Sequence, residues 1–221
     1  SIDRTDGKTR VFPPKEMVPP EAPIFMGEGA TGLRILAALG ACMQGGPLRI
    51  TAAESLQKRP SEELRQALGA PGDSWPLEVP CGHDLPDSVS LDKSSQFATA
   101  YLIAGAGQVF RGQRREYSLR LEGQLRSEPY LSLTVSLLRE SGFEVRYEDR
   151  LVSLTLERRA SRLRFEIAKD ASSLAFLEVF ARRWGLSTFF SPSRQGDSEF
   201  PAFLGRLEAG ESLSLKNHPD L

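Results

Sequence analysis

The chain has 221 residues, 40% of them hydrophobic, enough to bury a sizeable core as one large domain or two small ones. Its 28 lysines and arginines nearly balance 29 aspartates and glutamates, which excludes a global basic field able to hold a nucleic-acid backbone or an anionic membrane surface. Two cysteines, Cys42 and Cys81, are too few for a disulfide framework and lack zinc-ligand spacing, so a reducing setting is the default.

Ser1 to Asp6 lacks the basic-then-apolar pattern of a signal peptide, and no stretch approaches the roughly 18 uninterrupted apolar residues of a membrane span. A soluble, cytoplasmic protein is expected, a monomer with no nucleic-acid or membrane partner.

A unit then recurs three times: strand, small or hydroxyl-rich corner, apolar helix, strand, second helix. In the first copy Pro23–Met26 reads as a strand, Gly27 to Gly32 as the corner and Leu33–Met43 as a helix, with Leu33, Leu36, Ala37 and Gly40 on one face. Leu48–Thr51 is the next strand. Arg59-Pro60 leads into a second helix carrying Leu64, Ala67 and Leu68 and stopping at Gly69.

The second copy has the alternating strand Val89–Asp92, the corner Ser94-Ser95-Gln96, a helix from Phe97 to Ala104 and the strand Tyr117–Leu121. Glu128-Pro129 opens its second helix, with Tyr130, Leu133, Thr134 and Leu137 at helical spacing and a stop at Gly142. Phe143–Tyr147 and Leu151–Leu156 read as a hairpin around Glu148-Asp149-Arg150.

The third copy opens on the strand Leu163–Ile167, turns at Lys169 to Ser173 and runs a helix through Leu174–Trp184 to Gly185, with Asp197-Ser198 starting its second helix. From corner to second helix the three copies measure 29 residues (Thr31 to Pro60), 34 (Ser95 to Pro129) and 25 (Ser173 to Ser198). Such regularity implies duplicated α/β units with helices covering sheets.

Ser94-Ser95-Gln96 precedes the N-terminus of an apolar helix, where free backbone N–H groups and the helix dipole favour an anion. Two hydroxyls and an amide would complete a phosphate cradle. The same serines would also serve as ordinary helix caps. His83 and His218 lack partners at metal spacing, Arg111 to Arg115 reads as a solvated turn, and Trp75 and Trp184 as packing residues.

Several separated segments decide between these readings. Gly27-Glu28-Gly29-Ala30-Thr31-Gly32-Leu33-Arg34 resembles an Asn-Ala-Gly-Thr-Ala-x-Arg loop, and Glu54-Ser55-Leu56-Gln57-Lys58-Arg59-Pro60 resembles Glu-Ser-Leu-x-x-Arg-Pro. Ser94-Ser95-Gln96-Phe97 is similar to Ser-Ser-Gln-Phe, Ser127-Glu128-Pro129-Tyr130 to Ser-x-Pro-Tyr, and Asp170-Ala171-Ser172-Ser173 to Asp-x-Ser-Ser. Ser193-Arg194-Gln195-Gly196-Asp197 and Pro219-Asp220 follow in order. Together, from about Pro23 to Asp220, these segments resemble the EPSP synthase family of enolpyruvyl transferases.

The resemblance implies repeated βαβαββ-type units, with one lobe nearly complete over residues 1–162 and a second lobe begun over 163–221. It implies transfer of the carboxyvinyl group of phosphoenolpyruvate to the 5-hydroxyl of shikimate 3-phosphate, through a tetrahedral intermediate, with release of phosphate and no metal or organic cofactor. By motif position Ser94, Ser95 and Ser127 would hold the shikimate phosphate, Gln96 would lie between the two substrates, and Tyr130 would line the shikimate pocket. Arg59 matches a phosphoenolpyruvate-binding arginine, whose planar fork of donors suits a carboxylate or phosphate. Asp220 would act as base or hydrogen-bond acceptor for the attacking hydroxyl.

Three residues depart from the family pattern. Glu28 stands where asparagine is usual and Glu128 where a basic residue is common. A carboxylate about 5 Å from a bound phosphate repels it by several kcal/mol at an effective dielectric near 20, unless it rotates into water. Ala30 replaces a family glycine, and its methyl would narrow the phosphoenolpyruvate side of the cleft. In this family such narrowing is associated with glyphosate tolerance, so weak glyphosate inhibition of an active parent protein is expected, and potent competitive inhibition in a steady-state assay would contradict it.

The family's N-terminal Lys-Ser…Arg motif and its C-terminal arginines, lysine and glutamate have no match here. About half an active site is therefore expected, and the chain alone should be inactive. Two other readings compete. A diverged, non-catalytic homologue is motivated by the two added glutamates. A nicotinamide-dinucleotide enzyme is motivated by Gly27-x-Gly29-x-x-Gly32 with Glu54 22 residues beyond Gly32.

Overall fold

A computed structural model describes residues 2–5, 8–11, 16–59, 61–70, 72–92, 94–124, 128–158, 169–187 and 195–212. The chain divides into two compact units, Ser1–Pro86 and Asp87–Leu221. This division falls between the first and second repeats. A lobe boundary at 162/163 and the third-copy strand Leu163–Ile167 lie outside the described residues.

The first unit opens with an antiparallel hairpin, β1 (Ile2–Thr5) and β2 (Lys8–Val11), which hydrophobic patterning does not announce. The first repeat follows as β3 (Ile24–Phe25), α1 (Ala30–Gly40), β4 (Leu48–Thr51), the short helices α2 (Glu54–Gln57) and α3 (Glu62–Ala67), and β5 (Leu77–Val79). β3 and β4 run parallel around α1, and β5 pairs antiparallel with β4. The helix buries Leu33, Ala37, Ala38 and Gly40. It sits close on its sheet, since a Cβ on Gly40 would come within 3.1 Å of Leu48 and 3.2 Å of Val79. α1 starts three residues before the expected Leu33, and α2 and β5 are elements the sequence reading did not contain.

The second repeat is complete: β6 (Ser88–Ser90), α4 (Gln96–Phe110), β7 (Glu116–Glu122), α5 (Glu128–Glu140), β8 (Phe143–Glu148) and β9 (Leu151–Leu156), in sheet order β6-β7-β9-β8. β6 pairs parallel with β7, while β9 runs antiparallel to both β7 and β8. The expected βαβαββ unit is thus present strand for strand. Its hairpin turns on Asp149 and Arg150, both in the left-handed region with φ of 47° and 62°, the conformation whose twist matches two flanking antiparallel strands.

Helices cover one face of this sheet. Tyr117, Leu119 and Leu121 of β7 are buried, with Glu116, Arg120 and Glu122 exposed between them, the period-two pattern of a half-covered strand. α4 is buried along most of its length, including Phe97, Tyr101 and Leu102, and so forms the centre of the unit. Gly105 lets it lie against the ring of Tyr117.

The third repeat contributes α6 (Ala171–Arg183), a 3-10 turn over Gly196–Glu199 and α7 (Phe200–Glu208). The expected start of the second helix at Asp197-Ser198 is this 3-10 turn, with the α-helix proper beginning at Phe200. Arg182 joins α6 to α7 through Glu208, at 2.8 Å. No helix among the described residues is long and apolar enough to cross a membrane.

Candidate substrate-binding corners

In the second repeat both corners lie at one end of the layer. β6 and β7 are parallel, α4 returns from β6 to its parallel neighbour β7, and α5 returns from β7 to β8, parallel to it on the far side of β9, so the two helices run parallel and both begin beyond the carboxyl ends of β6 and β7. That is where ligands bind in open α/β sheets.

The strand ends are tied directly. Leu91 N–H donates to Glu122 O at 2.9 Å, and Asp92 Oδ1 accepts from Gln124 N–H at 2.8 Å. Gly123, at φ +76°, permits this approach, because a Cβ there would lie 2.4 Å from the same carboxylate oxygen. Asp92 thereby fixes the spacing between the start of the Ser94 corner and the segment that leads to α5.

Ser94 Oγ accepts from Gln96 N–H at 3.2 Å, satisfying one of the otherwise unpaired donors at the start of α4. Ser95 occupies the N-cap position, makes no side-chain capping bond and is only 8% exposed. Ser94 therefore acts as the helix-start cap, and the cap does not use the Ser95 hydroxyl. The first turn of α4 contains no acidic residue that would oppose an anion.

Thr99, one turn into α4, and Thr134, nearly two turns into α5, share a hydrogen bond at 3.0 Å. Ser95 and Tyr130 each lie four residues before these threonines, on the same helical faces and toward the same end. Tyr130 donates its phenolic O–H to Asp197 Oδ2 at 2.7 Å, and Asp197 is 1% exposed. Glu128, in the first turn of α5, is exposed. Ser127 lies outside the described residues, as do Ser193, Arg194, Pro219 and Asp220.

The third corner is built on the same plan. Asp170 accepts from the hydroxyls of Ser172, at 2.9 Å, and Ser173, at 2.5 Å, and the Ser173 bond foremost, with that of Ser172, holds its carboxyl below the usual range. Gln195 Oε1 accepts from Ala171 N–H at 2.8 Å while its Nε2 donates to Lys169 O at 3.1 Å. The Asp-x-Ser-Ser and Gln-Gly-Asp segments are thus one joined element.

In the first unit two other motifs meet. Gly27, at φ +57°, turns the chain out of β3. Met26 N–H donates to Thr51 O and Ala53 N–H to Gly27 O, each at 2.8 Å. Ser55 Oγ donates to Glu28 Oε1 at 2.8 Å, so the unusual glutamate is held on the segment that leads to Arg59. Arg59 is exposed, and Arg34 is partly buried beside it. Burial first, and then the Arg59 charge, push the Arg34 pKa down. Two guanidinium groups near each other are suited to an anion with several acceptor oxygens.

Arg34, Asp92 and Asp197 were not singled out from sequence. Arg34 and Asp197 lie inside matched motifs, which is the signal that could have raised them, whereas Asp92 precedes its motif and shows its role only through Gln124. Gly27, Gly29 and Gly32 do stand in a parallel β3-α1-β4 crossover, as a dinucleotide fingerprint requires, but β3 has only two residues and Glu54 pairs with Lys58 at 2.6 Å.

Comparison with known proteins accounts for both units. The family model described as EPSP synthase (3-phosphoshikimate 1-carboxyvinyltransferase) matches residues 2–185. A 3-phosphoshikimate 1-carboxyvinyltransferase of Methanothrix thermoacetophila is 29% identical over 214 residues, covering 90% of this chain and 48% of the relative. That of Vibrio campbellii is 30% identical over 203 residues, covering 84% and 46%. A solved EPSP synthase from Acinetobacter baumannii superposes with a TM-score of 0.54 at 26% identity, over 73% of this chain and 37% of that one. The chain spans about half the length of the curated relatives it matches.

Proposed function

Because the chain belongs to the EPSP synthase family, we propose that the protein it represents transfers the carboxyvinyl group of phosphoenolpyruvate to the 5-hydroxyl of shikimate 3-phosphate, and that this chain holds about half of the required site. The observation that carries the reading is the shared end of α4 and α5, where the Ser94-Ser95-Gln96 corner and Tyr130 stand one turn from the Thr99–Thr134 bond.

In this reading the phosphate of shikimate 3-phosphate is received by Ser94, Ser95 and Ser127 at the N-terminus of α4, where backbone N–H groups and the helix dipole add to the hydroxyls. Gln96 lies between the two substrates and Tyr130 lines the sugar pocket. Arg59, seconded by Arg34, receives phosphoenolpyruvate, and Asp220 accepts the proton of the attacking hydroxyl. Residues 1–162 belong to one lobe and 163–221 to the second. Cytoplasmic location and a monomeric state accompany this reading.

Phosphate release from phosphoenolpyruvate plus shikimate 3-phosphate tests it, with this chain compared against a longer form spanning the length of the relatives. Release by the longer form alone, dependent on both substrates, is the expected result. Release by neither would favour the second reading, a diverged non-catalytic homologue, which the added carboxylates of Glu28 and Glu128 motivate. Within an active form, Ser95→Ala is expected to weaken shikimate 3-phosphate binding by about tenfold or more, the loss of one charge-assisted hydrogen bond of about 1.5–3 kcal/mol. An unchanged dissociation constant by calorimetry would reduce Ser95 to a helix-start residue.

A further inference from the structure

Asp197 is among the most buried charged side chains described, at 1% exposure, and the Tyr130 phenol reaches it across 67 positions of sequence at 2.7 Å. A buried carboxylate is retained only where hydrogen-bond donors compensate its lost hydration. The 3-10 turn that carries it follows directly on Gln195, whose amide is fixed to both Ala171 N–H and Lys169 O at the start of α6. On the other side, Tyr130 O accepts from Thr134 Oγ1 at 2.9 Å, and Thr134 in turn bonds Thr99 of α4. Hydrogen bonds linked through the backbone of residues 195–197 and through Tyr130 itself therefore connect the α6 corner to α4, whose N-cap is Ser95.

We propose that Asp197 is the positioning residue for Tyr130: its buried carboxylate holds the phenol at the start of α5 and couples the third repeat to the shikimate-phosphate corner of the second. The inference rests on the reading of Tyr130 as a wall of the shikimate pocket. It adds that the wall is set from the third repeat, so that the pocket responds to residues that do not line it. Asp197 does not touch substrate in this account. It acts through the Tyr130 hydroxyl.

The test uses the 221-residue chain with Tyr130→Phe, Asp197→Ala and Asp197→Asn. Amide exchange over residues 131–134 is followed alongside calorimetric binding of shikimate 3-phosphate. Tyr130→Phe removes one oxygen and almost no packing volume, which keeps the test in a folded chain if Asp197→Ala does not fold. Exchange in α5 and the dissociation constant are each expected to rise about tenfold or more in Tyr130→Phe and Asp197→Ala, the loss of one bond to a charged acceptor. Asp197→Asn, which retains an acceptor oxygen, is expected to recover most of both. Unchanged α5 exchange in Tyr130→Phe overturns the proposal, as does an affinity loss in Tyr130→Phe that a folded Asp197→Ala does not share. The functional reading fails instead if the longer form spanning the length of the relatives binds no shikimate 3-phosphate while α5 exchange responds to the substitutions, a result that supports the Tyr130–Asp197 joint alone.

Discussion

Gly105→Ala is expected to lower stability by about 3 kcal/mol, the upper end of what overpacking a well-filled core costs. A Cβ at this position would lie 2.1, 2.4 and 2.6 Å from three ring atoms of Tyr117, far inside contact distance. The ring has nowhere to move, because Tyr117 is 1% exposed in the middle of the sheet and Ala104 and Ala106 flank the glycine in the buried face of α4. Relief requires α4 to lift away from β7, which would also displace the Ser94-Ser95-Gln96 corner at its start. Urea denaturation measures the loss as a shift in midpoint at constant slope. Gly40→Ala is the graded comparison: its Cβ would meet the methyl ends of Leu48 and Val79 at 3.1 and 3.2 Å, which can yield, so a smaller loss is expected. Equal midpoints for Gly105→Ala and the parent would refute the close-approach account of this glycine.

The second repeat was readable because all of its elements except the three-residue β6 are long enough to show a period. The two-residue alternation of β7 reports a half-buried element, and α5 was legible as a helix through Tyr130, Leu133, Thr134 and Leu137, although the face it buries is Leu131, Thr134, Val135 and Leu138, with Leu137 exposed. The hairpin was readable from the polar Glu148-Asp149-Arg150 between two β-rich runs. In the first repeat, by contrast, α2 has four residues and β5 three, fewer than a period needs to declare itself. The β1–β2 hairpin was missed because Asp3, Arg4, Lys8 and Arg10 break any apolar alternation. Helix starts were placed late, at Leu33 for Ala30 and Leu174 for Ala171, since hydrophobic spacing begins only after the small and polar residues that open a helix.

The site was legible in residue type and not in connection. Ser94, Ser95, Gln96, Tyr130 and Arg59 could be named from motif position alone. What sets their geometry is a group of contacts between distant positions: Asp92 with Gln124, Thr99 with Thr134, Tyr130 with Asp197, Glu28 with Ser55. Pairings at separations of 27 to 67 residues leave no trace in any local period. The departure at Glu28 illustrates the consequence. Its charge was readable, but the Ser55 hydroxyl that engages the carboxylate was not, and an engaged carboxylate repels a neighbouring anion less than a free one would.

The segment after Arg59 depends on a different buried cation, and its removal is the second large effect expected. Arg65, in α3, is 3% exposed and donates to Ser61 Oγ at 3.2 Å, to Gly72 O at 2.9 Å and to Ser74 O at 2.9 Å, with its guanidinium 5.5 Å from the centre of the Trp75 ring. One side chain thus closes the loop between α3 and β5. Arg65→Met keeps most of the volume but removes the donors that tie the Gly72 and Ser74 carbonyls to α3, and a loss of about 3 kcal/mol is expected from two bonds that each involve a charged partner. Arg65→Lys restores the charge as a single point donor that cannot span two carbonyls in the fork geometry, so it is expected to recover less than half of that loss. Because α3 begins three residues after Arg59, loosening this loop also frees the arginine proposed to receive phosphoenolpyruvate. Denaturation midpoints of the three forms rank the effect, and proteolytic cleavage within residues 72–75 locates it. A methionine variant as stable as the parent, with that loop still protected, would show that packing against Trp75, and not the carbonyl bonds, holds the segment in place.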